Sequence, residues 1–335
     1  MNNMLKQEIR SIVILRALQI GDMLCWIPAV RAIHKAFPEA TITLVGLPWA
    51  KMLVERFPEY IHELIQFPGY PGFPEQQADL TAYPAFLREI QSRNFDLAIQ
   101  MQGSGIISNP VIKLFNAKST AGFYLNGNYC PDPELFVKYP SHLHEVERHL
   151  SIAEKLGATD LSREMEFPLT DKDELDFAES ALPVKPKEYV VLHPGSRDVA
   201  RQWDTANFAA IGDFCSSKGL KVVITGTADE QPIVKAVVNK MKAAPIIAAG
   251  KTSLGAVAVL IKNAAALVSN CTGVSHIAAG LKTKSIVISL DGEPDRWGPL
   301  NKQVHRTIDW PTTPDFDLVQ QELNNLLFGS LQLNR

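Results

Sequence analysis

The stretch Ala264–Leu290 reads AAALVSNCTGVSHIAAGLKTKSIVISL. It opens on an apolar run of strand length, Ala265 to Val268, and passes through a turn, Ser269-Asn270-Cys271-Thr272-Gly273. A small-residue helical pattern follows from Val274 to Leu281, then a second apolar strand from Ser285 to Leu290. Strand, tight turn, helix and strand make a βαβ unit, which implies a parallel sheet. A helix N-terminus leaves its first N–H groups unpaired and carries partial positive charge. Gly273 lets the backbone approach a ligand closely, and Thr272 and His276 add side-chain donors beside it. The turn therefore reads as a place for phosphate oxygens. The competing reading is an ordinary βαβ turn in which Thr272 only caps the helix.

The residues before this stretch repeat the pattern. Tyr189–Leu192 is a buried strand that runs into HPGSRDVARQW, residues 193–203. A Gly/Ser turn with Arg197 and Arg201 reads as a second phosphate-facing element, since arginine pairs bidentately with phosphate oxygens; a surface loop with both arginines solvated is the alternative. Lys221–Thr225 leads into Gly226-Thr227-Ala228-Asp229-Glu230, where Glu230 is placed to accept from ribose hydroxyls or is a plain first-turn acid. A short strand over Pro245–Ala249 leads into Gly250-Lys251-Thr252-Ser253. Four loops, 193–203, 225–230, 250–253 and 269–273, are thus expected at the carboxyl edge of one sheet, where open α/β sheets bind ligands. Asp291–Leu300 is a further strand-end loop, and Phe316–Phe328 a last amphipathic helix.

The first half alternates strands and helices in the same way. Ser11–Leu15 is an apolar strand, followed by a helical pattern through Leu24, Ile27, Val30, Ile33 and Phe37. Pro28 predicts that this helix is kinked or begins there. Gly21-Asp22 falls in the loop after the strand, where a carboxylate can take a proton from a hydroxyl; Asp22 as a simple N-cap is the alternative. Thr41–Val45, Ile61–Gln66, Phe95–Met101 and Ser119–Tyr124 read as strands. Helices are expected over Leu47–Phe57, Ala82–Arg93 and Ile106–Asn116. Gln66–Gln77, rich in proline, glycine and aromatic residues, reads as a packed or lid-like loop. His144 and His149 lie five apart, about 140° around a helix, so the histidines of residues 142–149 are declined as a zinc site and read as a polar helix face near a cleft. Asp171-Lys172-Asp173 follows Thr170 at a helix start and is read as structural. Residues 167–187 look like the inter-domain connection.

The 335 residues exceed what one core usually holds, so two domains are expected. The composition, 46% hydrophobic and 21% charged, is that of a globular protein. With a net charge of -3 and no basic run, a nucleic-acid partner is not expected. Cys25, Cys130, Cys215 and Cys271 lack metal or disulfide spacing and suggest reduced thiols. No signal peptide or membrane span is expected, Lys262 interrupting the best apolar run, and a cytoplasmic location follows.

Taken together, HPGSRDVARQW, ITGTADE, GKTSL, VSNCTGVSHIAAGL and DRWGPL resemble the donor half of glycosyltransferase family 9, the ADP-heptose:lipopolysaccharide heptosyltransferases and their relatives. ILRALQIGDMLCWIPAVRAI, residues 14–33, resembles the N-terminal signature of that family. The resemblance implies a GT-B fold, two Rossmann-like parallel-sheet domains facing across a cleft. The acceptor-side domain would span 1–175 and the nucleotide-sugar domain 176–310, with 311–335 crossing back to the first. It implies inverting transfer of a heptose or related sugar from a nucleotide-sugar donor, with ADP as the expected nucleotide, to a lipid-linked or glycan acceptor, with no cofactor and no obligatory metal. Peripheral contact with the inner membrane stays open. Asp22 matches the general base. Ser196, Arg197 and Arg201 match the phosphate loop, with Thr225 and Gly226 beside it. Glu230 matches the ribose acid and Thr252 the base-contacting position. Asn270, Cys271, Thr272, Gly273 and His276 match the pyrophosphate turn. The family usually reads Asp-Thr-Gly there; Cys271 stands in place of the Asp, and a thiol is no fixed negative acceptor unless its pKa is lowered. A GT-B-like sugar-nucleotide epimerase or hydrolase, and a weakened nucleotide-sugar-binding homologue, are the alternatives. A dehydrogenase is disfavoured because no GxGxxG follows any expected strand.

Overall fold

The computed structural model describes residues 9–329. They divide between Met165 and Glu166 into two compact units. Each is built on a six-stranded, wholly parallel sheet.

In the first unit β1 (Ser11–Leu15), β2 (Thr41–Gly46), β3 (Glu63–Gln66), β4 (Leu97–Gln100), β5 (Ser119–Tyr124) and β6 (Phe136–Lys138) lie in the order β3-β2-β1-β4-β5-β6. The central strands are continuous apolar runs because helices cover both faces of a parallel sheet; Ile12 to Leu15 are fully buried. Helix α1 (Ile20–Ala36) continues through Pro28, which excludes a helix start there. It carries ten buried residues, and the indole of Trp26 donates to Met101 Sδ at 3.0 Å. The expected 47–57 helix is a single 3-10 turn, Pro48–Ala50, and a short helix α2 (Lys51–Arg56). Then come α3 (Tyr83–Ser92), α4 (Ser108–Lys113) and α5 (Glu145–Lys155), which packs against α1. The loop after β3 is packed: Phe67 lies 5.2 Å from Phe73 and 5.7 Å from Phe86, ring centre to ring centre. Strand β6 is short and carries too little pattern to be read from sequence.

The second unit begins before α6 (Asp171–Glu179). Thr170 and Asp173 form a reciprocal capping box at its start, so the acidic triplet is structural as expected. Then follow β7 (Tyr189–His193), α7 (Thr205–Ser217), β8 (Lys221–Ile224), α8 (Gln231–Val238), β9 (Ile246–Ile247) and α9 (Leu254–Asn263), against which α6 packs. The opening stretch supplies β10 (Ala266–Asn270), α10 (Gly273–Gly280) and β11 (Ser285–Ser289). The chain continues through α11 (Pro294–Trp297), β12 (His305–Asp309) and α12 (Phe316–Phe328). The order is β12-β11-β10-β7-β8-β9. Helix α12 buries Val319, Leu323 and Leu326 in this unit's own core beside Trp203 and Phe208.

Both sheets reverse direction once. In the first, β1 is flanked by β2 and β4; in the second, β7 is flanked by β8 and β10. At such a switch point the two connections leave the carboxyl edge in opposite directions and open a crevice between them.

Candidate active site

The switch point of the first unit holds Arg16, the residue after β1. Its guanidinium is 1% exposed and donates from Nη1 to Met101 O at 2.5 Å, beyond β4, and from Nη2 to Asp22 O at 2.7 Å. Ala17 N donates to Gln102 Oε1 at 2.8 Å, a second tie across the same two strand ends. Asp22 sits in the first turn of α1. Among the described residues no side chain hydrogen-bonds to its carboxylate, and Gln19, not Asp22, holds the N-cap position. Burial raises its pKa above the ordinary carboxylate value; Arg16 opposes the rise, and Glu145 and Glu75 add to it. Glu75 comes from the proline-rich loop and accepts from Gln19 Nε2 at 2.7 Å.

The polar helix face expected near a cleft over 142–149 is largely buried. His144 caps α5 and accepts from Val146 N, while Glu145, Arg148 and His149 are buried. Residues at i, i+3 and i+4 share one helical face, here turned inward. Glu145 pairs with Arg148 Nη1 and lies 3.1 Å from His149 Nε2 and 3.8 Å from Arg16 Nη2.

In the second unit, three of the four loops meet directly at the switch point. Asn270, fully buried at the end of β10, donates to Pro194 O at 2.8 Å and to Gly195 O at 3.3 Å, and accepts from Trp203 N at 2.9 Å. It ties both ends of the 193–203 loop to the 269–273 turn. Glu230 reaches across to the same loop: it accepts from Thr227 N at 2.7 Å and lies 3.8 Å from His193 Nε2. A Cβ at position 195 would stand 2.1 Å from Glu230 Oε1, so a side chain there would displace the Glu230 carboxylate. His193 Nδ1 is 3.0 Å from the buried Thr225 Oγ1, and burial lowers the histidine's pKa. Loop 250–253 joins this edge through Gly250 N to Gly226 O at 2.9 Å and Gln231 Nε2 to Ala249 O at 2.7 Å. Thr252 is half-buried, and its hydroxyl is 3.4 Å from Ala248 O.

Thr272 precedes α10 with extended backbone and makes no side-chain cap hydrogen bond. The Thr272 side chain therefore does not cap the helix; Ser275 N donates to Thr272 O at 3.0 Å, and the amides of Gly273 and Val274 keep their donor capacity. His276 is buried one turn further on, with its ring centre 6.3 Å from that of Trp297. Ser196 is buried and its carbonyl accepts from Gln202 Nε2, whereas Arg197 is exposed. Arg201, at the end of a 3-10 turn over Val199–Arg201, donates from Nη2 to Cys271 O at 3.2 Å and pairs with Asp291 Oδ2 at 2.5 Å. Its Nε and Nη1 have no protein partner among the described residues. Burial pushes the Cys271 thiol up to about 12, so it is neutral and supplies no fixed charge. The carboxylate beside Arg201 is Asp291, fixed by Ser289 Oγ at 2.8 Å.

Sequence reasoning missed Asp291 and the Arg16–Glu145 network. The inward face of α5 carried a signal in its i, i+3, i+4 charges; Asp291 carried none.

Two Rossmann-like units, one with a buried acid and the other with arginine and helix-end amides at its switch point, define a glycosyltransferase of the GT-B class. A family model, glycosyltransferase family 9 (heptosyltransferase), matches residues 84–325, and the chain belongs to that family. It is 28% identical over 299 residues to lipopolysaccharide heptosyltransferase 3 of Escherichia coli K12, covering 85% of this chain and 83% of that protein. It is 24% identical over 321 residues to lipooligosaccharide heptosyltransferase 2 of Haemophilus ducreyi, covering 89% of each. A solved family 9 glycosyltransferase from Veillonella parvula superposes with a TM-score of 0.80 at 20% identity, over 96% of this chain and 98% of that one. Escherichia coli ADP-heptose lps heptosyltransferase II gives 0.72 at 19% identity, over 95% and 98%. These two likenesses bear on the fold.

Proposed function

We propose that the chain moves a heptose or closely related sugar from ADP to a hydroxyl of a lipopolysaccharide-core or other cell-envelope glycan, with inversion and without an obligatory metal. Family membership and the names of the curated relatives support the sugar and the acceptor class; ADP as the donor nucleotide is the expectation drawn from the sequence resemblance. The observation that carries the reading is the convergence of Arg201 and the uncapped start of α10 on one switch point. A sugar leaving on a diphosphate develops negative charge, which a guanidinium and helix-end amides stabilise in place of a metal. Ser196 and Arg197 extend that diphosphate site, Glu230 takes the ribose and Thr252 meets the base. Asp22, whose lone pairs no side chain occupies, accepts the proton of the attacking hydroxyl.

A lipid-linked acceptor implies work at the cytoplasmic face of the inner membrane. No helix among the described residues is long and apolar enough to cross a membrane. The neutral Cys271 favours one second reading, a homologue that binds nucleotide-sugar but turns over slowly. Incubation with ADP-heptose and heptose-deficient lipopolysaccharide core, followed by mass spectrometry of the glycan, separates the two. Addition of one heptose supports transfer; ADP-heptose binding with no product on any core acceptor supports the weakened homologue. Absence of binding overturns both.

A further inference from the structure

The interior of the first unit contains four charged groups that the reaction does not need for binding sugar or nucleotide. Arg16 and Arg148 are each 1% exposed and Glu145 is 5% exposed. Asp22 lies at their edge. Two permanently charged guanidiniums thus stand against two carboxylates, while His149 is held neutral, burial lowering its pKa to about 4. Isolated charges at such depth are expensive, so the set is stable only when it balances.

The geometry is asymmetric. Arg148 is fixed by the carbonyls of Pro140 and Leu143, at 3.2 and 3.3 Å, and stacks 4.6 Å from the centre of the Tyr139 ring. Glu145 is held by Arg148 and His149 and kept ionised, its pKa lowered by the hydrogen bond from His149 and by the charges of Arg16 and Arg148 despite its burial. Arg16 spends its two terminal nitrogens on backbone carbonyls, Met101 O and Asp22 O. Its charge is thereby shared between Glu145 on α5 and Asp22 on α1.

We propose that Glu145 is a positioning residue for Asp22: through Arg16 it fixes the first turn of α1, and its charge keeps Arg16 from capturing the Asp22 carboxylate as a permanent ion-pair partner. The proposal rests on the reading of Asp22 as the base. A base clamped by an unopposed arginine loses affinity for the proton it must take. The charged groups facing Asp22 are Arg16 from the β1–α1 link, Glu145 from α5 and Glu75 from the loop after β3. Of the two carboxylates, Glu145 is the one anchored from both sides.

The test is the pH profile of kcat for transfer from ADP-heptose to heptose-deficient core. In Glu145→Gln the shape of the side chain persists and its charge is gone. The acid limb is expected to move down by about one pH unit, with kcat at least about tenfold lower and KM for ADP-heptose unchanged. Glu145→Asp should restore the limb to its original position. Arg148→Met removes a cation from the same network, so its limb should move up; this opposite sign decides the matter if Glu145→Gln does not fold. A limb that stays in place in either folded variant overturns the proposal. Asp22→Asn is assayed alongside: if it turns over normally, the base reading itself fails, whereas an inactive Asp22→Asn with an unmoved Glu145→Gln limb defeats only the role of Glu145.

Discussion

The two units share one fold and one switch-point geometry, and use it for opposite purposes. At the first, Arg16 is sealed in and shares its charge between the buried Glu145 and the partly buried Asp22, to whose carboxylate no side chain hydrogen-bonds among the described residues. At the second, Arg201 is half-exposed, anchored by one nitrogen to Asp291 and open at the others. Burial raises the proton affinity of an acid, which suits a base. An anion site needs accessible donors instead, and surrounding amides that hold no competing charge. The same strand-end position therefore yields a proton acceptor in one sheet and a phosphate cradle in the other, according to how deeply the arginine is covered.

Four substitutions sharpen this contrast. The largest stability effect is expected from Glu145→Ala, which strands Arg148 without a counter-charge and leaves Arg16 with Asp22 alone; breaking a buried pair costs about 3–5 kcal/mol, read by urea denaturation. A loss under 1 kcal/mol would show that the first unit's network is not charge-balanced as described. Next, Gly195→Ala drives a methyl into Glu230, and should cost about 1–3 kcal/mol while weakening ADP binding. Unchanged ADP affinity would separate the 193–203 loop from the donor site. Arg201→Ala should lower affinity for ADP by roughly tenfold or more, about 1.5–3 kcal/mol for a hydrogen bond to a charged group, and affinity for adenosine hardly at all, by calorimetry. Equal losses for both ligands would remove the guanidinium from the diphosphate. The smallest effect is Asp173→Ala, which should cost about 1 kcal/mol through the lost capping box and leave transfer untouched.

How much of this was legible in the sequence follows the same division. The second unit's site is built from contiguous loop motifs, so HPGSRDVARQW and NCTG could be read where they stand. The strands around them are buried on both faces and appear as unbroken apolar runs. The first unit's network joins Arg16, Met101 and Glu145, held together only by strand order and by α1 packing on α5. Local patterning does not encode that proximity, and residues 142–149 therefore read as a polar helix face near a cleft and not as a buried charge network. Pro28 left two options open, and the helix that continues from Ile20 through it excludes a start at Pro28. Cys271 was legible as a departure from the family pattern. That Asp291 supplies the carboxylate beside Arg201 was not, because it arrives from β11, a neighbouring strand.

The most direct measurement is made on Asp22→Asn at neutral pH: turnover, ADP affinity and melting temperature on the same preparation. The raised pKa of Asp22 means that its ionised form is disfavoured in the folded chain relative to the unfolded one. The stability that its protonation supplies is full below the ordinary carboxylate pKa and is lost as pH rises through the folded-state value. Asparagine removes that loss, so the variant should melt no lower than the native chain, with any gain vanishing in acid. With Asp22 as the base, transfer should fall by about 10²–10⁴ while ADP binds as before. Native turnover in a folded Asp22→Asn protein, or a melting temperature that drops together with activity, would contradict the assignment of a free-energy cost kept in place for proton transfer.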